Sequence, residues 1–174
     1  MARLNPLLPF LILAALLFGV TGCGYKPSAH YAKAVVGERV STEVIVSMKD
    51  PENTVIIKDA VETAVITRFK SSLTDKSRSD THLRIRLKQV KFTPMQYDEN
   101  GYIVVYRTIV TLEIGRMTGK SYRSYSVKGT YDFAIEPNAI ISDQARFDAI
   151  RYGAQKAIDN FVARVAAEGV RTGE

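Results

Sequence analysis

The strongest constraint on the fold is a succession of alternating stretches between Leu83 and Phe133, separated by two turn signals. Leu83, Ile85 and Leu87 alternate with Arg84, Arg86 and Lys88, the two-residue period of a half-buried strand with one basic face. Farther on the apolar parity moves to Val90 and Phe92, as an extra residue around Gln89 would produce, and Pro94 is expected to end the ladder. Asp98-Glu99-Asn100-Gly101 then marks a hairpin, because Asn-Gly tolerates the positive φ angles of tight turns. The next stretch places Tyr102, Val104, Tyr106, Val110, Leu112 and Ile114 on one face and Ile103, Val105, Arg107, Ile109, Thr111 and Glu113 on the other. Gly115-Arg116-Met117-Thr118-Gly119 reads as a second hairpin loop. Beyond it Tyr125, Val127, Tyr131 and Phe133 oppose Tyr122, Ser124, Ser126, Lys128, Thr130 and Asp132. Strands joined in this way form an antiparallel meander.

What precedes and follows the meander sets the fold class. Arg39 to Met48 alternates, with Val40, Thr42, Val44, Val46 and Met48 opposite Ser41, Glu43 and Ser47, interrupted by Ile45. Asp50-Pro51-Glu52 offers an N-cap, a proline at the first helical position and an acid at the positive end of the helix dipole. The helix this predicts carries an apolar row of Ile57, Val61, Val65, Phe69 and Leu73 beside Ala60 and Ala64, with Arg68 reaching out to water. A polar break follows from Ser71 to Asp80. At the other end Ser142 and Asp143 open a long helix with Phe147, Ile150, Ala154, Ala157, Ile158, Phe161 and Val165 on one face, and Gly169 is positioned to stop it. The order is β-α-β-β-β-α. It predicts an α+β two-layer sandwich with two helices on one face of a four-stranded mixed sheet, the first two strands being parallel if they are neighbours.

The N-terminus gives an address. Arg3 precedes an apolar run from Leu7 to Val20, too short and too abruptly ended to span a bilayer of roughly 30 Å. Residues 1–22 therefore read as a secretory signal. Val20-Thr21-Gly22-Cys23 resembles the lipobox of bacterial lipoproteins, which implies cleavage before Cys23 and acylation of that residue. Cys23 is the only cysteine of the chain, and acylation accounts for an unpaired thiol in an oxidising compartment. By the same resemblance, Gly24 rather than an aspartate after the cysteine implies the outer membrane. Residues 23–37, with Gly24, Pro27, Ser28 and Gly37, read as a tether, and residues 38–174 as one domain.

The formal charge of +6 falls to +5 when Arg3 leaves with the signal, a basic excess that suits phospholipid or lipopolysaccharide phosphate, since nucleic acid is not expected outside the cytoplasm. Catalytic chemistry has little to draw on. The histidines are His30, in the tether, and His82, expected to be partly exposed beside a strand start; no paired acids, metal-ligand cluster or glycine-rich phosphate loop stands out, so neither enzyme nor cofactor is expected. The positive signal is a face. Arg84, Arg86 and Lys88 share the helix-free side of the sheet with Arg107 and Lys128, opposed by Glu43, Glu113 and Asp132, while Ile103, Val105 and Ile109 call for partial cover on the same side. Two readings stand: a surface for an anionic or enclosing partner, or a solvated face of a central strand whose charges keep the sheet soluble.

The chain also resembles the LptE family of lipopolysaccharide-assembly lipoproteins. The resembling features are Gly22-Cys23-Gly24-Tyr25-Lys26-Pro27, the helix start at Asp50-Pro51-Glu52-Asn53, and the tract Tyr97-Asp98-Glu99-Asn100-Gly101-Tyr102. Ile135-Glu136-Pro137-Asn138, followed by Ile140-Ile141-Ser142-Asp143-Gln144, completes the set. The resemblance implies a protein that sits inside the outer-membrane β-barrel LptD, assists its assembly and binds lipopolysaccharide. It assigns no lipopolysaccharide contact to a particular residue here. An auxiliary lipoprotein of a lipid-transport ABC system and a tethered regulator of cell-wall synthesis would share the anchor and the α/β domain.

Overall fold

The computed structural model describes residues 28–45 and 51–172, with side chains described for 31–45 and 55–171. The signal segment, Cys23, the start of the tether, the strand end at Val46, Ser47 and Met48, and the cap Asp50 lie outside the described residues. The elements are α1 (Ser28–Val36), β1 (Arg39–Ile45), α2 (Pro51–Thr67), β2 (Ser72–Leu73), a 3-10 turn (Lys76–Arg78), β3 (Thr81–Tyr97), β4 (Ile103–Thr118), β5 (Ser121–Ala134) and α3 (Asp143–Thr172). The sheet order is β2-β1-β3-β4-β5. β1 runs parallel to both its neighbours, whereas β3, β4 and β5 form the antiparallel meander. A bulge falls between Leu87 and Gln89, and there the apolar parity changes.

The core lies between one sheet face and α2 with α3. Val40, Leu83, Ile85, Val110, Leu112, Ile114 and Val127 meet Ile57, Val61 and Val65 of α2 and Ile150, Ala154, Ile158 and Val165 of α3. Phe161 is central, in edge contact with Phe69 at 5.9 Å and with Tyr125 at 5.1 Å between ring centroids. α3 comes unusually near the sheet because glycine stands at the crossing: a Cβ on Gly129 of β5 would collide with the Gly153 carbonyl and the Ala157 amide.

Several expectations require correction. The sheet has five strands rather than four, since Ser72–Leu73, inside the polar break, pairs with Arg39 and Val40; a two-residue strand has no alternation to betray it. Leu73 is therefore in that strand and not on the helix. α2 stops instead at Thr67, and Lys70 shortly after it takes a left-handed φ of 55°. The predicted tether contains a helix, α1, whose Ala32 and Val36 are fully buried against the core. Gly37 at φ 83° closes α1 through an N–H bond to the Lys33 carbonyl. Asp80 pins the turn into β1 by accepting from the Glu38 and Arg39 amides and the Arg39 guanidinium.

Gly169 does not end α3. The helix continues to Thr172, and Gly169 is where the Tyr31 carbonyl of α1 presses against it. Pro94 does not end the ladder either: it pairs with Tyr106 and β3 continues to Tyr97, with irregular register after the proline absorbing its missing donor. Gly115 is inside β4, under the Tyr122 ring, and the turn is Gly119-Lys120. Phe147 is exposed rather than part of the buried stripe, whereas Arg68 is exposed as expected and also reaches Asp159 of α3 at 3.1 Å. Ser142 does cap α3, its hydroxyl accepting from the Ala145 amide at 3.2 Å.

Candidate interaction face

Register and alternation together decide which residues share the side of the sheet opposite the helices. β1 contributes Ser41, Glu43 and Ile45, aligned with His82, Arg84 and Arg86 of β3. Arg84, Arg86 and Lys91 align with Gly115, Glu113 and Ile109 of β4. Arg107, Ile109 and Thr111 align in turn with Asp132, Thr130 and Lys128 of β5. Every predicted face residue is brought to this side: the basic set Arg84, Arg86, Lys88, Arg107 and Lys128, and the apolar set Ile103, Val105 and Ile109. Lys91, Met117 and Tyr122 join them. The apolar set is half-buried, and none of the described helices lies over it.

The charges are organised in cross-strand pairs. Arg107 grips Asp132 in a two-pronged contact of 2.7 and 2.6 Å, and Lys88 reaches Glu113 at 2.8 Å with Arg86 at 4.0 Å from the same carboxylate. Arg84 lies 3.5 Å from Glu43. The hydrogen bond from Lys88 holds the Glu113 carboxyl below its ordinary range, and that from Arg107 does the same for Asp132. Exposed pairs of this kind contribute roughly 0–1 kcal/mol each, so their main effect is on the field of the face. Cations outnumber carboxylates across it, and the surplus is concentrated on β3.

His82 departs from expectation. It is buried, not partly exposed, and bridges two strands: Nδ1 lies 2.9 Å from Ser41 Oγ, and Nε2 lies 3.2 Å from Glu43 Oε2. The trio has the residue types of a hydrolytic triad, yet Ser41 is only 4% exposed and its hydroxyl also bonds Ser79 Oγ at 2.8 Å. A substrate carbonyl cannot reach such an oxygen, so the trio fastens β1 to β3. The missed signal was the parallel pairing itself, which sets Ser41 beside His82 and Glu43 beside Arg84. Among the described residues no group of His, Cys, Asp or Glu gathers as a metal site, and no helix is long and apolar enough to cross a membrane.

Two solved structures share the fold, and a third shows a weaker likeness. Lipoprotein B from Nitrosomonas europaea is 12% identical with a TM-score of 0.53, over 76% of this chain and 84% of that one. A protein from Xanthomonas campestris is 11% identical with a TM-score of 0.53, over 80% and 89% of the two chains. The rare lipoprotein B from Shewanella oneidensis is 12% identical with a TM-score of 0.43, over 77% and 92%. None of the curated proteins matches the chain by sequence. The model of the LptE family, described as lipopolysaccharide-assembly, matches residues 42–165, a span from β1 to near the end of α3 that includes all of the face on β3, β4 and β5. The chain belongs to the LptE lipopolysaccharide-assembly family.

Proposed function

We propose that this protein is an outer-membrane lipoprotein, anchored through acyl chains on Cys23, that occupies the lumen of the LptD β-barrel, assists its assembly and supports lipopolysaccharide transport to the cell surface. The observation that carries the reading is the bare sheet face within a domain of this family. It combines a cationic surplus on β3 with half-buried Ile103, Val105 and Ile109, and such a face suits enclosure by a wall that supplies both apolar and acidic groups. In this reading Arg84, Arg86, Lys88, Arg107 and Lys128 meet lipopolysaccharide phosphates or lumen carboxylates. The protein acts by binding, with no catalytic step of its own.

Co-purification is the direct test. A tagged full-length chain extracted in mild detergent should bring down an outer-membrane barrel in a stable complex. Recovery instead with an inner-membrane ABC transporter or a cell-wall synthase would overturn the reading in favour of the corresponding alternative. Enclosure also makes the lipid secondary: Cys23→Ala, sent to the periplasm by an ordinary signal peptide, should still join the complex, and its failure to do so would show that the anchor is required for assembly.

A further inference from the structure

On the helix-bearing side, at the end of the sheet where β4 meets β5, lies a recess of about 370 Å³ lined by Arg116, Arg123, Arg171, Ser121, Thr118 and Glu168, with Val35 of α1 at its edge. Arg116 sits on the core side of β4 with its side chain 8% exposed, and its Nη2 donates to Glu168 Oε2 at 3.0 Å. The Tyr125 hydroxyl lies 3.0 Å from both carboxylate oxygens, and Arg123 Nη1 is 3.6 Å from Oε1. Glu168 is thus engaged by its surroundings on both oxygens. Arg116 Nη1, by contrast, is buried with no hydrogen-bond partner among the described residues. That nitrogen is closed off from the recess, so Arg116 acts on it through its charge rather than as a direct donor. Among the described residues around the recess, then, three guanidinium groups face one carboxylate.

We infer that this recess is a binding site for a phosphate group, held by Arg123 and Arg171 at the mouth and by the Ser121 hydroxyl, with the charge of the buried Arg116 beneath it. Guanidinium forks match phosphate oxygens, and the volume takes a phosphate with the atoms esterified to it. Position favours a membrane lipid headgroup as the source. Cys23 is at most roughly 17 Å of chain from Ser28, and Val35, at the recess edge, is about 10 Å farther along α1. This choice of source rests on the lipidated Cys23 proposed above; the phosphate site itself does not. The recess is on the opposite side of the sheet from the face bearing Arg84, Arg86 and Lys88, so the two sites can be tested separately.

The full-length protein in a maltoside detergent, titrated calorimetrically with dihexanoyl phosphatidic acid, should bind it saturably at one equivalent. Inorganic phosphate should bind at least about tenfold more weakly, and dihexanoyl phosphatidylcholine, with a zwitterionic headgroup, more weakly than phosphatidic acid. Arg123→Ala and Arg171→Ala, both surface truncations, should each weaken phosphatidic acid binding by about tenfold or more at unchanged thermal stability, as expected for loss of a hydrogen bond to a charged group. Lys58→Ala on α2, which removes the same charge elsewhere, should leave binding unchanged. Absence of saturable binding to either phosphate probe, or equal weakening by Lys58→Ala, would overturn the site. Inorganic phosphate binding as tightly as phosphatidic acid would overturn the lipid source.

Discussion

At the scale of single residues, glycines determine how closely the layers approach. Gly129 and Gly153 are neighbours across the β5–α3 crossing, but they differ in what a methyl group would meet. At Gly129 it meets backbone of α3, which cannot rotate away; at Gly153 it meets the Val110 methyl at 2.8 Å, which can. Gly129→Ala should therefore cost about 3 kcal/mol or more. Gly153→Ala should stay within about 1 kcal/mol of the parent, because the better helix propensity of alanine offsets the repacking of Val110. Chemical denaturation of the two variants gives the comparison, and equal losses would mean that α3 shifts freely on the sheet. A glycine within a strand pattern is a known sign of close approach, so the role of Gly129 was open to inference from sequence. The roles of Gly115 and Gly169 were not, since the Tyr122 ring and the Tyr31 carbonyl come from elements that local pattern does not position.

At the scale of elements, what was legible and what was not divides by length. Long periodic segments declared themselves: the meander, the bulge near Gln89 and most of the stripes of α2 and α3 follow from repeated side-chain spacing, whereas the helical connection made β1 and β3 parallel only on condition that they were neighbours. β2 and α1 did not, because two residues show no period and nine residues bearing a few apolar side chains resemble a linker until α3 is present to cover them. The buried Tyr125–Glu168 contact between β5 and α3 is likewise invisible before the elements are packed. It makes the protein sensitive to alkali. Burial, and then the hydrogen bond to Glu168, push the Tyr125 hydroxyl up to about 12 from its ordinary value of 10.0. The neutral phenol is the form the fold favours, so its contribution is complete below pH 10.0 and is lost as pH rises through about 12. Unfolding midpoints measured across that window should fall less steeply for Tyr125→Phe than for the parent, from a baseline about 1.5–3 kcal/mol lower for want of a bond to a charged acceptor. Parallel profiles would exclude Tyr125 as the titrating group.

At the scale of the whole molecule, the two sides of the sheet divide the labour: one is consumed by the core and the other remains available. Alternation alone placed Arg84, Arg86, Lys88, Arg107 and Lys128 together with Ile103, Val105 and Ile109. Alternation could not show that Glu113 is shared by Lys88 and Arg86, nor that Asp132 is gripped by Arg107, because partner choice depends on register. Replacing Arg84, Arg86 and Lys88 together by glutamate reverses the field of β3 at exposed positions, where changes in stability should stay small. Lipopolysaccharide binding should then weaken by more than about tenfold at low ionic strength, with the difference shrinking as salt is added. Unchanged binding by a folded triple variant would exclude the face as the lipopolysaccharide contact.

The outer rim of β5 is already occupied. The Ser126 and Lys128 carbonyls at that rim accept hydrogen bonds from Arg164 and Asn160 of α3 at 3.0 and 2.7 Å. A foreign strand seeking to continue the sheet there would have to displace these two helix side chains. Two bonds that tie the helix to its own sheet thus also make this stretch of edge a poor template for a neighbour's strand.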